Sequence, residues 1–290
     1  MIAQFALRLI CGMSLMWALM PRRQVTSGFF RIQNLVVMGL GVLATLAAGM
    51  EARPLFTNRQ LADLGWLPVL MSVTVGLIAA LGVLGFVGSV LWTLERRIGA
   101  ERVGFGVCLI STALIVSPLC LPSVTIYIHD TAVSIGPPET SSRFMNALTA
   151  VSEFAGAAVL GSTVVGMLLG HWYLTTPTMS IDPLKRLNKL LGIAGVLRLL
   201  VSMTVVGLLS AGMLDTSDMT VRLATVPRAW FSLRWLAGII GPLVVSLMVW
   251  RILKYRNTQA ATGVLFVGVI LAFIGDMTAA LLLRETGLPL

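Results

Sequence analysis

Charged residues are scarce in this chain. Only 11% of its 290 residues are Asp, Glu, Lys or Arg, and 57% are hydrophobic. A soluble domain carries about 25% charged residues, so this shortage excludes an ordinary water-soluble protein. It predicts a multi-pass protein of a cell membrane, of the bacterial inner-membrane type. The net charge of +9 does not indicate nucleic acid, because most basic residues form short clusters beside apolar runs. Such clusters are typical of topology signals and contacts with the lipid bilayer.

Catalytic and metal-binding signatures are also missing. The sequence has no GxSxG, HExxH, P-loop or Asp-rich prenyl-diphosphate motif, and only two histidines. Cys11, Cys108 and Cys120 lie in apolar runs at unrelated spacings, which predicts buried, inert thiols. Nothing in the pattern indicates catalysis by this chain alone, and no metal site is expected.

Long apolar runs dominate what is present, and eight of them are long enough to cross a bilayer. They cover about Ile2–Met20, Ile32–Met50, Leu67–Leu94, Val103–Ile128, Phe144–Thr175, Leu187–Leu214, Trp230–Leu253 and Ala260–Leu283. Backbone groups in lipid must bond within their own segment, so these runs are expected to be helices. We predict an all-α polytopic bundle of eight transmembrane helices, forming one transmembrane domain over residues 1–290.

The basic residues predict the orientation of the spans. Each loop after an odd-numbered span carries three of them: Arg22, Arg23 and Arg31; Arg96, Arg97 and Arg102; Lys185, Arg186 and Lys189; Arg251, Lys254 and Arg256. The other loops are poorer or mixed, although the loop before span 7 is assigned Arg222, Arg228 and Arg234. The positive-inside rule then places both termini outside.

Ionisable groups within spans are costly and suggest function, and the predicted spans contain Arg8, Glu153, Arg198 and Asp276. Glu153 lies about 13 Å below the outer end of span 5, and Arg198 about 16 Å from the inner end of span 6. Consecutive spans are usually neighbours, so we predict a Glu153–Arg198 ion pair. A structural lock between spans 5 and 6 and a ligand-binding or proton-handling role both remain open. Asp276 lies in the outer third of span 8 and Arg8 at a similar level in span 1, so these two could also pair. A polar cavity open to the outside would explain Arg8, Glu153 and Asp276 together.

One histidine shares a helix face with Glu153. His171 lies 18 residues further on, which is five full turns, beside Trp172 and Tyr173 at the inner end of span 5. An interfacial anchor is the simpler interpretation, and a haem or metal ligand is the alternative. His129 is predicted on the opposite side of the membrane, so one haem cannot use both histidines and haem is not expected.

Small residues recur on spans 3 and 5. Gly166 and Gly170 form a small-xxx-small pair, and Gly82, Gly85 and Gly88 recur in the same way on span 3. Such stripes are typical of close helix packing. Room for a flat ligand against the backbone of span 5 is the functional alternative.

Five local segments resemble the membrane anchor subunits of dimethyl sulfoxide reductase-type and polysulfide reductase-type respiratory complexes. They are Arg31-Ile32-Gln33, Arg53–Arg59, Ala155–Gly170, Arg228-Ala229-Trp230 with Arg234, and Phe273-Ile274-Gly275-Asp276. The likeness in layout covers most of the chain, since those subunits also have eight spans and both termini outside.

The resemblance implies that a quinol binds near the outer face; its oxidised form would be menaquinone or ubiquinone. It also implies an iron–sulfur partner subunit that receives the electrons. It makes Asp276 a candidate for the quinol region, to which the sequence pattern adds Glu153 and Arg198. One departure is clear. The family's His-Leu-Gly after the second span is replaced by Gly49–Arg53, so the usual quinol-contacting histidine is absent.

Two other functions compete with a quinol-binding anchor. A small transporter predicts broken helices and a midplane site between repeats, although no sequence repeat is visible. A structural or assembly subunit predicts buried charges that only specify helix pairing, with no ligand.

Overall fold

The computed structural model describes residues 1–57, 66–120, 124–128, 131–135, 143–176, 179–211, 227–286 and 288–289. Within these residues, eight helices are long and apolar enough to span a membrane. This confirms the prediction of a multi-pass, helical membrane protein. The placement of both termini outside stays a prediction.

The helices follow the predicted runs closely. Their bounds are α1 Ile2–Leu19, α2 Ser27–Thr57, α3 Trp66–Thr93, α4 Arg97–Cys120, α5 Arg143–Thr175, α6 Asp182–Ser210, α7 Arg228–Lys254 and α8 Thr258–Thr286. Within α7, α-helical segments Arg228–Trp235 and Gly241–Lys254 flank a π-helical turn, Leu236–Ile240. Span 4 was predicted to be helical as far as Ile128, and this was wrong: α4 ends at Cys120, and Val124–Ile128 is a strand, β1. It pairs with β2, Thr131–Ile135, in a β-hairpin between α4 and α5 in the chain.

The helices carry large apolar side chains on their exposed faces. Leu46, Val83, Ile193 and Phe266, from four different helices, are each more than half exposed. Long helices that are apolar on their exposed faces as well as their buried ones suit contact with lipid.

The described chain forms two compact units. One contains Met1–Ser14 and Thr26–Ser142, and the other contains Leu15–Val25 and Arg143–Leu290. No pattern in the sequence predicts this division, and the single transmembrane domain over 1–290 stays a prediction.

The N-terminal unit is built on the packing of α2 against α3. The backbone of Gly88 lies so close to the Asn34 side chain that a Cβ has no room between them. A stacked ring pair, Phe30 and Trp92, joins the same two helices with centroids 4.6 Å apart. This confirms close packing along the small-residue face of α3.

The C-terminal unit is a closed ring of four helices, in which α5 packs against α6 and α8, and α7 packs against the same two. Gly170 of α5 lies against Thr262 of α8, and Gly166 contacts Leu265. The glycine pair on span 5 therefore packs against α8, as the close-packing interpretation expects.

Two tight turns join neighbouring helices in the same unusual way. Glu95 follows α3 with φ of 55°, and Arg256 follows α7 with φ of 57°. This left-handed conformation ends many helices and is normally occupied by Gly or Asn, because other side chains are strained in it.

Candidate functional site

Charged side chains meet in the interior of the C-terminal unit. Arg198 of α6 and Asp276 of α8 are each 2% exposed, and Arg198 Nη2 lies 3.6 Å from Asp276 Oδ1. Charges this far from water are rare in membrane proteins and are normally paired. The structure thus brings together two of the predicted intramembrane charges.

A second arginine lies in the same interior. Arg234 of α7 is 0% exposed, and its Nη2 donates a hydrogen bond of 3.4 Å to the Ser202 hydroxyl of α6. Ser202 is one turn beyond Arg198, since the two are four residues apart on one helix. We call Arg198, Ser202, Arg234 and Asp276 the charge cluster.

The assignment of Arg234 to the loop before span 7 was wrong, because the residue is buried within a helix. The signal for its position was available. Arg234 falls four residues inside the apolar run that begins at Trp230, and a helix places it a full turn inside the span. Ser202 was also missed, since a serine within an apolar run carries no distinctive pattern.

The π-helical turn of α7 lies directly after Arg234, and the Gly241 N–H donates a hydrogen bond to the Leu236 carbonyl, five residues earlier. Pro242, which follows Gly241, has no N–H, so in a regular α-helix the Gly238 carbonyl would lack its hydrogen-bond donor. Single π turns of this kind occur frequently at functional sites.

Glycines let the four helices approach the charge cluster. The backbones of Gly238 in α7 and Gly275 in α8 touch, and Arg234 Nη1 lies 2.9 Å from the place of a Cβ on Gly238. On α5, a Cβ added to Gly156 would lie 3.3 Å from Asp276 Oδ1 and 3.7 Å from Arg198 Cζ. Every helix of the ring therefore contributes a side chain or a bare backbone position to the cluster.

Glu153 is half-buried on α5, one turn before Gly156. It therefore lies on the same part of α5 as Gly156, whose backbone contacts the Arg198–Asp276 ion pair. The cluster contains two arginines and one aspartate, and the charge of Glu153 would make the set neutral. The structure gives Arg198 the carboxylate of Asp276, and the predicted Glu153–Arg198 pair stays a prediction.

The remaining predicted candidates lie elsewhere. His171 is exposed near the end of α5, with Trp172 half-buried and Tyr173 buried beside it. The Tyr173 hydroxyl donates a hydrogen bond to the Ser180 carbonyl, which ties the end of α5 to the start of the next segment. His129 lies outside the described residues.

The cysteines and possible metal ligands give no second site. Cys11 is buried, as predicted, with its Sγ 3.4 Å from the Thr112 hydroxyl, and Cys108 is half-buried. The side chain of Cys120 lies outside the described part. No three His, Cys, Asp or Glu side chains among the described residues are placed to hold a metal ion.

No protein-family model, no curated protein and no solved structure matches this chain. The resemblance to respiratory anchor subunits stays a prediction from the sequence. The functional argument therefore depends on the charge cluster and its surroundings.

Proposed function

We propose that this chain is a multi-pass membrane subunit of a redox complex, and that its C-terminal unit binds a quinol beside the charge cluster. The observation that carries the proposal is the buried Arg198–Asp276 ion pair, with Arg234 buried in the same interior. A quinol needs carboxylates to accept its hydroxyl protons, and the resulting quinone needs donors for its carbonyl oxygens. Asp276 and Glu153 would serve the first need, and Arg198 the second.

In the proposed complex, this chain would anchor a redox partner to the membrane. Electrons from the quinol would pass to an iron–sulfur partner, with this chain as the anchor in a bacterial-type inner membrane. The chain would supply binding and orientation, whereas the quinol and the partner's clusters would carry the redox chemistry.

A structural or assembly subunit is the second candidate, favoured by the same pair's 2% exposure. A buried ion pair can serve only to specify which helix faces meet. The π turn beside the cluster gives some support to a transporter, since irregular helices border many transport sites.

The first experiment is gentle purification, followed by organic extraction to detect bound quinone and by analysis of stoichiometric partner chains. The detergent-solubilised protein is then titrated with decylubiquinol while tryptophan fluorescence is followed. Glu153→Gln should raise the Kd at least tenfold, which corresponds to about 1.4 kcal/mol. Glu95→Gln, in an exposed turn, is the matched control and should leave the Kd unchanged.

The outcomes separate the candidates. Saturable binding that Glu153→Gln weakens and Glu95→Gln does not supports the quinol proposal. If the wild type shows no saturable binding while Asp276→Asn strongly lowers its thermal stability, the structural candidate replaces it. Substrate flux into proteoliposomes without any partner would favour the transporter.

A further inference from the structure

A separate cavity opens between the start of α6 and the end of α7. Its volume is about 350 Å³, and it lies at the opposite end of α7 from Arg234. The residues that line it are mainly basic or amphipathic: Lys185, Asn188, Lys189, Trp250, Leu253, Lys254 and Arg256. Both helix segments are ends of candidate spans, so the cavity is expected at the boundary between lipid and water.

The charge of the cavity has one sign. Four of its lining residues are Lys or Arg, and none is acidic. The closest described carboxylate to any of them is Asp182, whose Oδ1 lies 3.8 Å from Lys185 Nζ in an exposed pair. Such a pair neutralises little, so the cavity favours an anion. Basic pockets between transmembrane helices bind lipid phosphates in this way.

Asn188 adds a specific polar feature to the wall. The residue is 5% exposed, and its Nδ2 donates a 3.0 Å hydrogen bond to the Ser246 carbonyl. That bond fixes the orientation of the side-chain amide. The other amide atom, Oδ1, is a buried acceptor that has no hydrogen-bond partner among the described residues. A buried acceptor without a donor is costly, so a ligand hydroxyl would gain by occupying this place.

Arg256 occupies a backbone position that disfavours its side chain. Its φ of 57° lies in the left-handed region, where Gly is the usual residue. Residues other than glycine that are strained in this way are frequent at functional sites. The side chain of Arg256 lines the basic cavity.

The surface next to the cavity suits an acyl chain. Trp250, in the wall, is 59% exposed, and Leu247 and Met248 continue an exposed apolar face along α7. Trp side chains concentrate at the membrane boundary, where headgroups lie. A ligand with a phosphate in the cavity and a hydrocarbon tail along α7 would contact both the basic residues and the exposed apolar face. Free phosphate would contact only the basic residues.

We propose that this cavity binds the headgroup of an anionic glycerophospholipid that carries both a phosphodiester and a free hydroxyl, as phosphatidylglycerol does. The phosphate is held by the four basic side chains, Lys185, Lys189, Lys254 and Arg256. Asn188 Oδ1 accepts a hydrogen bond from the hydroxyl. The site is independent of the quinol proposal, because it shares no residue with the charge cluster.

The test measures lipid binding by the full chain in nonionic detergent. Native mass spectrometry gives the apparent Kd for phosphatidylglycerol and for phosphatidylcholine, and thermal unfolding is followed with each lipid and with inorganic phosphate alone. The wild type should bind phosphatidylglycerol more tightly than phosphatidylcholine, and inorganic phosphate at the same concentration should not stabilise it.

Arg256→Gly is the informative variant because glycine suits the left-handed backbone, so the turn should fold at least as well. It should weaken phosphatidylglycerol binding about fivefold, the ratio for one lost cation near a lipid surface. Two controls separate charge from backbone. Glu95→Gly changes the equivalent turn after α3, and Arg96→Gln removes a cation from that turn, outside the cavity. Neither should alter the affinity.

Three results would overturn the proposal. Equal affinity for the two lipids would show that the anionic headgroup is not recognised. Equal stabilisation by inorganic phosphate would identify a site for soluble phosphate. Equal losses in Arg256→Gly and Arg96→Gln would show general attraction to a basic surface.

Discussion

Arg198 and Asp276 form their ion pair across the interior of a ring in which their helices are not neighbours. Each of α6 and α8 packs against α5 and α7, so the 3.6 Å contact joins opposite sides of the bundle. A charge pair in that position fixes all four helices together, because displacing any of them changes the environment of both charges.

Replacing Asp276 by Asn tests how much the pair contributes to stability. The amide keeps the volume but removes the negative charge from a buried arginine, which typically costs about 3–5 kcal/mol. Unfolding in mixed micelles should show this loss, and Glu95→Gln, in an exposed turn, should change stability by less than about 0.5 kcal/mol. Adding Arg198→Gln to Asp276→Asn should cost less than the sum of the single variants. Strict additivity would mean that the two charges do not interact.

Alanine at Gly275 should separate α7 from α8. Its Cβ would overlap the backbone of Gly238, and such overpacking usually costs about 1–3 kcal/mol. Gly263→Ala is the matched control on the same helix, because no atom lies within 4 Å of its added Cβ. That control should be neutral or slightly stabilising, since Ala favours helix by up to about 1 kcal/mol. Thermal melts that rank the two variants in the reverse order would contradict the close contact.

The Asn188–Ser246 contact between α6 and α7 should make a small, measurable contribution. Ser246 Oγ donates a 3.1 Å hydrogen bond to the backbone carbonyl of Asn188, and Asn188 Nδ2 donates one of 3.0 Å to the backbone carbonyl of Ser246. Ser246→Ala removes one of them and should cost about 0.6 kcal/mol, the average for interhelical bonds in membranes. Thr204→Ala removes an exposed hydroxyl that bonds only within α6, and it should have no effect on helix association. The free energy of unfolding measures both variants.

Cysteine labelling checks the predicted orientation. In a variant that lacks Cys11, Cys108 and Cys120, a cysteine is placed at Tyr255 or at Glu285, exposed positions near opposite ends of α8. A membrane-impermeant maleimide should label Glu285→Cys in intact cells, and Tyr255→Cys only after permeabilisation. The reverse pattern would place both termini inside.

The spans could be predicted from the sequence because length and apolarity alone decide whether a segment crosses lipid. The contact between Arg198 and Asp276 could not. Sequence neighbours are a good first estimate of spatial neighbours, and that rule selected Glu153 on the preceding span. In a closed ring, an inward side chain can also meet the opposite helix, and no pattern along the chain reveals this.

The position of Arg234 also bears on the predicted orientation. Assigned to a loop, it reduces the difference in basic residues between the two sides of the membrane. Its burial in α7 leaves fewer basic residues in that loop, so the charge asymmetry that predicts the orientation is larger.

The π turn at Leu236–Ile240 also sets the angular phase of α7. Each residue advances an α-helix by about 100°, so one extra residue in a turn rotates everything beyond it by nearly that amount. Arg234 lies before the turn, and the cavity residues from Trp250 to Arg256 lie after it. Deleting one residue between Leu236 and Ile240 would restore a regular helix. Either Arg234 would then turn away from the charge cluster, or the α7 residues of the basic cavity would turn away from α6.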